Sequence, residues 1–468
     1  MKRRDFLKVT AAGSVILGAP PWLTGCNLGS GLGGMTPLAA AESVAAWLRA
    51  SSREVRSGLT WPMVPAEGEG ASVNLYSGTP GIILFLLELH HATGDPVYLR
   101  EAMDGAFMLQ GAHLEAGGWP AAAGTTPDDP SLFSPGLYTG VAGAGFALAE
   151  VWRASGDGMT HFGAMLMFDS LIAAAQPTDS GVIWFDEDPD EASYDIISGS
   201  AGVGLSLLYA ADLLDFPEAR ETAVAAGKHL LSVARPAEGG LKWPLGETNP
   251  RLMPNFSHGT AGVAYFLARL AEVTGEGVFL DAALQGGRYL QAVARCENDG
   301  CLVFHHEPGG EDLFYLGWCH GPAGTARLFH MLHRLTGEDE WREWVLRGAR
   351  GIRNAGIPEL RPEGYWNNVS QCCGDAGVGE FFLGLAAEYD DPEHLEFAKH
   401  LGSYILGEGM RDEAGAHWIQ AEHRTRPEFV QAQTGWMQGA AGVGGFLLHL
   451  DGAESGRPPR FRMPDTPW

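Results

Sequence analysis

Seven near-copies of one short motif, spread almost evenly along the chain, constrain its fold more than any other feature. They begin YSGTPG at Tyr76, YTGVAG at Tyr138, ISGSAG at Ile197, SHGTAG at Ser257, CHGPAG at Cys319, CCGDAG at Cys372 and MQGAAG at Met437. Each Gly-x-x-Gly leads into a run that is apolar almost all round and often closes on Thr-Gly-Glu or Thr-Gly-Asp. The leading glycines (Gly78, Gly140, Gly199, Gly259, Gly321, Gly374 and Gly439) are spaced by 62, 59, 60, 62, 53 and 65 residues. Such a period identifies a repeat architecture. The 468 residues therefore form one repeating body, not the three domains that length alone suggests.

Between the motifs lie segments such as 96–109 and 280–294, with apolar residues at helical spacing and polar ones between. Each repeat is thus predicted to be a helical hairpin, one helix buried on every side and its partner on one face only. Seven hairpins close into an all-α (α/α)7 toroid of inner and outer rings, expected over residues 38–455 with a C-terminal tail at 456–468. Gly and Ala at the start of each inner helix let crowded backbones approach. The same geometry points seven helix N-termini at a common mouth, where their partial positive charge favours anions.

The N-terminus reads as an address. Lys2-Arg3-Arg4-Asp5-Phe6-Leu7-Lys8 is a twin-arginine region, followed by an apolar stretch too short to span a bilayer. It ends in Leu23-Thr24-Gly25-Cys26, which is similar to a bacterial lipobox with Cys26 as the lipidated residue. A signal peptide over 1–25 and a Gly/Ser-rich tether over 26–37 follow. The expected location is the cell envelope or periplasm, anchored through Cys26; the competing reading is a plain signal in which Cys26 is incidental. With 31 Lys+Arg against 57 Asp+Glu, the net charge is −26 and no basic run interrupts the body of the chain. That balance disfavours nucleic acid and any broader membrane contact.

Two of the seven motifs carry thiols, three in all. Cys319 stands before the fifth leading glycine, and Cys372 and Cys373 stand before the sixth. Adjacent inner helices would bring them together as a three-thiolate Zn2+ site with its fourth position open, as a catalytic zinc needs. Free cysteine also serves as a small buried hydrophobe, which is the alternative. Cys296 and Cys301 flank a predicted turn, Glu297-Asn298-Asp299-Gly300. They read either as a small disulfide in an oxidising compartment or as a free pair.

Taken together, SHGTAG, GWCHGPAG and QCCGDAG resemble the lanthionine synthetase C-like (LanC-like) cyclases, over about residues 40–450. The resemblance implies a seven-hairpin toroid with a central zinc. Trp318-Cys319-His320-Gly321 matches the family's W-C-x-G ligand motif, and Cys372-Cys373-Gly374 matches its C-H-G motif with cysteine in place of histidine. This is similar to the three-cysteine branch. The resemblance further implies an active-site histidine at His258 and an active-site aspartate at Asp195. Where the cyclases commonly carry an arginine, four residues before the zinc cysteine, this chain has Tyr315. His320 and Tyr315 are expected at the edge of the site, His320 equally as a structural hydrogen-bonding residue.

The expected activity is zinc-dependent addition of a thiol to a dehydroamino acid such as dehydroalanine or dehydrobutyrine. The product is a thioether, either within a dehydrated peptide or from a small thiol, made by a monomeric enzyme. Three thiolates make the zinc less Lewis-acidic and a bound sulfur more nucleophilic. His258 would move the proton, since its reference pKa lies near working pH. Two alternatives come from other classes. One is an α/α-toroid glycoside hydrolase using carboxylates such as the run Asp186-Glu187-Asp188; the other is a non-catalytic zinc- or peptide-binding envelope protein.

Overall fold

Each Gly-x-x-Gly run opens a helix, and its leading glycine is the N-cap. The computed structural model describes residues 31–68, 72–115, 134–185, 192–249, 251–365, 368–421 and 424–468. The expected signal peptide, Cys26 and Asp186-Glu187-Asp188 lie outside the described residues. Fourteen helices alternate along the described chain. The outer ones are α1 (Pro37–Ser51), α3 (Pro96–Glu115), α5 (Gly158–Ala174), α7 (Pro217–Val233), α9 (Gly277–Val293), α11 (Asp339–Asn354) and α13 (Pro392–Glu408). The inner ones are α2 (Thr79–Thr93), α4 (Val141–Ser155), α6 (Ser200–Leu213), α8 (Thr260–Thr274), α10 (Pro322–Thr336), α12 (Asp375–Glu388) and α14 (Ala440–Ser455). Short two-stranded ribbons are the only sheet among the described residues. The fold is an all-α toroid.

Burial follows the two sequence patterns. In α2 every residue from Thr79 to Leu89 is buried, as an apolar run with no polar face requires. In α9 the buried set is Phe279, Ala282, Ala283, Gly286, Gly287, Tyr289 and Leu290, one stripe at helical spacing. Five inner helices end on the glycine of a Thr-Gly or Ser-Gly pair: Gly94, Gly156, Gly275 and Gly337 at φ 72° and Gly456 at φ 77°. That left-handed conformation closes a helix at little cost only for glycine.

The motif glycines have a more local reason than inter-helix crowding. The loop before each inner helix folds back over that helix's own first turn. A Cβ on Gly140 would sit 1.8 Å from the Ser134 carbonyl oxygen, and one on Gly143 would sit 2.1 Å from that of Leu137. No side chain fits there, so glycine recurs wherever this loop recurs.

The seven loops are tied into a closed ring at the mouth. Tyr76 N–H donates to Tyr138 O (2.8 Å), Tyr138 to Ile197 (2.9 Å), Ile196 to Ser257 (3.1 Å) and Ser257 to Cys319 (3.0 Å). Cys319 then donates to Cys372 (3.1 Å), Cys372 to Met437 (2.9 Å), and Met437 back to Tyr76 (2.8 Å). The seventh hairpin is discontinuous in sequence: α14 pairs with α1, joining the two ends of the chain.

Residues at both edges of the expected toroid belong to the packed body. Leu32, in the expected tether, is fully buried. The expected tail crosses the far end of the barrel, with Phe461 and Asp465 buried. There the Asp465 carboxylate accepts from Arg327 Nη1 (3.0 Å), Trp318 Nε1 (3.0 Å) and Tyr138 Oη (3.2 Å). All three bonds fall on Oδ2, while Oδ1 has no partner among the described residues; the Arg327 ion pair and the three donors offset the cost of burial and hold the tail inside.

Candidate metal centre

The backbone ring decides where the chemistry sits. Cys319 and Cys372 occupy ring positions, two residues before their glycines. Cys373, His258 and His320 each occupy the next position in their own repeat. Neighbouring loops thereby bring three buried sulfurs together: Cys319 Sγ lies 3.2 Å from Cys373 Sγ, Cys373 Sγ lies 3.3 Å from Cys372 Sγ, and all three fall within 4.8 Å of one another. They form the only potential metal-holding group of three or more such ligands among the described residues.

Their acidities show the strain of three thiols in one dry space. Hydrogen bonds from Cys319 and Cys373 hold Cys372 well below the usual thiol range, against the effect of burial. Burial pushes Cys319 well up, and its contacts with the other two add to the rise. For Cys373 the bond with Cys319 is lowering, but Cys372 and burial raise it further than that bond lowers it. Without a cation, one thiolate excludes the other two. A soft divalent cation removes that conflict, and three thiolates fit zinc. Tetrahedral bonds of about 2.3 Å would set the sulfurs about 3.8 Å apart, within the range these positions span.

Beside the sulfurs, His258 Nδ1 pairs with Asp195 Oδ2 at 2.6 Å. Asp195 is buried, and its Oδ1 accepts from the backbone N–H groups of Ser198 (2.8 Å) and Gly199 (2.9 Å) at the start of α6. These bonds fix the carboxylate, which in turn fixes the imidazole with Nε2 free. Burial lowers the His258 pKa, but the Asp195 charge and hydrogen bond raise it by more, so the net shift is upward. The His258 side chain remains 31% exposed.

His320 lies with its ring centre 5.6 Å from that of His258 and stacks on His305 at 3.9 Å. Neither ring nitrogen of buried His320 has a partner among the described residues. Burial, then the neighbouring histidines, push its pKa well down. Burial and the adjacent His306 push that of His305 to about 3. Tyr315 stands at 4.6 Å from the His305 ring, and burial followed by the Cys373 and Cys319 charges raises its hydroxyl pKa. The structure thus brings His320 beside His258, and Tyr315 beside His305 and His320.

Several neighbours escaped sequence reasoning. The Tyr76 hydroxyl accepts from Gln438 Nε2 at 3.0 Å and bonds to Cys372. Tyr76 and Gln438 come from the first and seventh motifs, and the register could have flagged both, since they hold ring and next-to-ring positions. His305 and His306 belong to no motif, so only the fold reveals them. Elsewhere, Cys296 and Cys301 face each other across a two-stranded ribbon and are joined as a disulfide.

The sequence model of the family "Lanthionine synthetase C-like protein" matches residues 70–461. Among solved structures, nisin cyclase is similar at 17% identity and a TM-score of 0.59, covering 92% of this chain and 95% of that one. The GH76A α-1,6-mannanase from Salegentibacter sp. HEL1_6 matches at 14% identity and a TM-score of 0.47, covering 90% and 99%. D-mannose isomerase matches at 13% and 0.46, covering 68% and 85%. No curated protein matches the chain. The nisin cyclase likeness supports the toroid fold, the other two carry no argument, and the family match spans most of the chain. The protein belongs to the lanthionine synthetase C-like family.

Proposed function

We propose that this protein adds a thiol to the alkene of a dehydroamino acid, with Cys319, Cys372 and Cys373 holding Zn2+. The observation that carries the reading is the three-sulfur cluster beside the Asp195–His258 pair. Zinc bound there would supply acidity, releasing the proton of a substrate thiol at neutral pH. The chain's own residues do the rest. Asp195 accepts from His258 Nδ1, which leaves Nε2 to face the mouth. The substrate sulfur bonds to Cβ of the dehydroamino acid, and the alkene electron pair moves to Cα and its carbonyl. His258 Nε2–H then donates to Cα. The proton lost by the thiol thus ends on Cα through His258, so no further reactant is consumed. Asp195 offsets the charge of the imidazolium, and His320 and His305 wall the mouth.

The substrate follows the same chemistry: a peptide containing dehydroalanine or dehydrobutyrine, with its own cysteine or a small thiol as the nucleophile. Twin-arginine export and a lipid on Cys26 complete the proposal. The Cys296–Cys301 disulfide supports that location, because such bonds persist in oxidising compartments. The test is to incubate zinc-loaded protein with a dehydroalanine peptide that carries one cysteine. Loss of the alkylatable thiol without change of mass supports cyclisation, and a mass gain equal to an added small thiol supports intermolecular addition. Neither change, with zinc present at one equivalent, defeats both.

A further inference from the structure

No basic run interrupts the body of the chain, yet the fold gathers six arginines around one pocket. It opens where α4, α6, α8 and α10 end, at the far end of the barrel from the thiols, against the crossing C-terminal segment. The pocket encloses about 570 Å³ and is lined by Arg153, Arg220, Arg269, Arg334, Arg460 and Arg462. In a chain of net charge −26, that is six of 31 cationic side chains at one place.

Helix C-termini attract cations for structural reasons, and three of the six are accounted for in this way. Arg153 pairs with Glu150 (2.9 Å), and Arg269 and Arg334 share Glu272, the latter at 2.8 Å. Arg334 also donates to the Pro467 carbonyl (3.1 Å). The other three make no ion pair among the described residues: Arg220 on α7, and Arg460 and Arg462 on the C-terminal segment, although the Arg460 charge reaches Glu150 and counters the rise that burial gives the Glu150 pKa, and the Arg460 backbone N–H is held by Glu88 (2.8 Å). The buried Nε–H of Arg269 is also unpartnered there. Counting Glu150, Asp212 and Glu272, six positive charges face three negative ones. Gathering like charges is unfavourable unless something anionic joins them.

We propose that this pocket binds a phosphate group. Guanidinium forks match phosphate oxygens bidentately, whereas lysine acts as a point charge, and no lysine lines the pocket. An excess of three positive charges calls for a di- or trianion more than for a single carboxylate. Leu205, Leu208, Val273 and Phe461 lie on the same wall, so the phosphate is carried by an organic group: a soluble phosphate ester or a phospholipid headgroup. This site is independent of the thiol chemistry at the mouth.

The experiment uses the full chain and the double variant Arg220→Ala with Arg462→Ala, two exposed residues remote from the metal centre; Arg220→Glu is a second variant. Titration calorimetry with pyrophosphate at physiological ionic strength is expected to show saturable binding at one site. The double variant should weaken it at least tenfold, and Arg220→Glu should weaken it too. Sedimentation with phosphatidylglycerol against phosphatidylcholine vesicles forms the second arm. Pyrophosphate binding lost in the variants supports a soluble phosphate. Phosphatidylglycerol binding lost in the variants, without pyrophosphate binding, supports a headgroup. No binding in either arm, or binding that the variants leave unchanged, overturns the proposal.

Discussion

The backbone N–H of Cys319 donates to the carbonyl of Cys372 at 3.1 Å, although 53 residues separate them. This bond is one link of the ring that ties the seven loops at the mouth. It sets two thiols on adjacent strands of chain, and Cys373 follows as the next residue. The three-sulfur cluster is therefore a property of the ring before it is a property of the cysteines. Side chains attached to a rigid hydrogen-bonded circle are preorganised for a ligand.

The first prediction concerns the metal. The purified protein should carry about one equivalent of zinc, and Cys319→Ala or Cys372→Ala should reduce it to below about a tenth, since a three-ligand site cannot spare one. Elemental analysis together with circular dichroism decides the matter, the latter showing that the variants remain folded.

The second concerns the proton. His258→Ala should lower the rate of thiol addition by about 10²- to 10⁴-fold with zinc retained. Asp195→Asn keeps the shape but loses the charge that raises the His258 pKa. It should slow the reaction less and shift the pH–rate profile to lower pH. Rates measured across pH at constant zinc content check both.

The third concerns the far end. Asp465 accepts from Arg327, Trp318 and Tyr138, and Trp318 precedes Cys319 of the three-sulfur cluster. Asp465→Ala leaves the Arg327 charge buried without its carboxylate. It should cost about 3–5 kcal/mol, read as a lower denaturant midpoint.

The fourth concerns pH and stability. The His449 ring lies between Glu380 (Nδ1–Oε1, 2.8 Å) and Glu88 (Nε2–Oε1, 3.3 Å). Burial lowers its pKa, but the two carboxylates raise it by much more, so it ends well above the ordinary value of 6.5. The unfolded chain releases this proton near pH 6.5 while the folded chain keeps it. The stabilisation is therefore complete below pH 6.5 and is lost as pH rises through the folded pKa. His449→Gln should melt at lower temperature at pH 6 and show a flatter decline in Tm between pH 6 and 9.

The fifth concerns the address. Arg3→Lys with Arg4→Lys should leave the protein unprocessed in the cytoplasm and still zinc-loaded. Cys26→Ser should leave it exported but not lipid-anchored. Cell fractionation checks both, and a double-lysine variant that still reaches the envelope defeats the reading.

By itself, the sequence determined the repeating unit. An apolar run that must bury every side and an amphipathic run that buries one are local patterns, so the hairpin and the ring of seven were legible from residue order, whereas the cap role of the motif glycines was not. Cys319, Cys372 and Cys373 were legible for the same reason, because register within a repeat translates into position around the circle. Tertiary structure alone decided what depends on contacts without register. Pairing of α14 with α1 joins opposite ends of the chain, and burial of Asp465 depends on donors from two other repeats. His305 enters the site from a connecting segment, where no periodicity constrains it. The six arginines of the far pocket are scattered from Arg153 to Arg462. They come together because four inner helices end on one face and the last residues cross it, a coincidence in space that no one-dimensional pattern encodes.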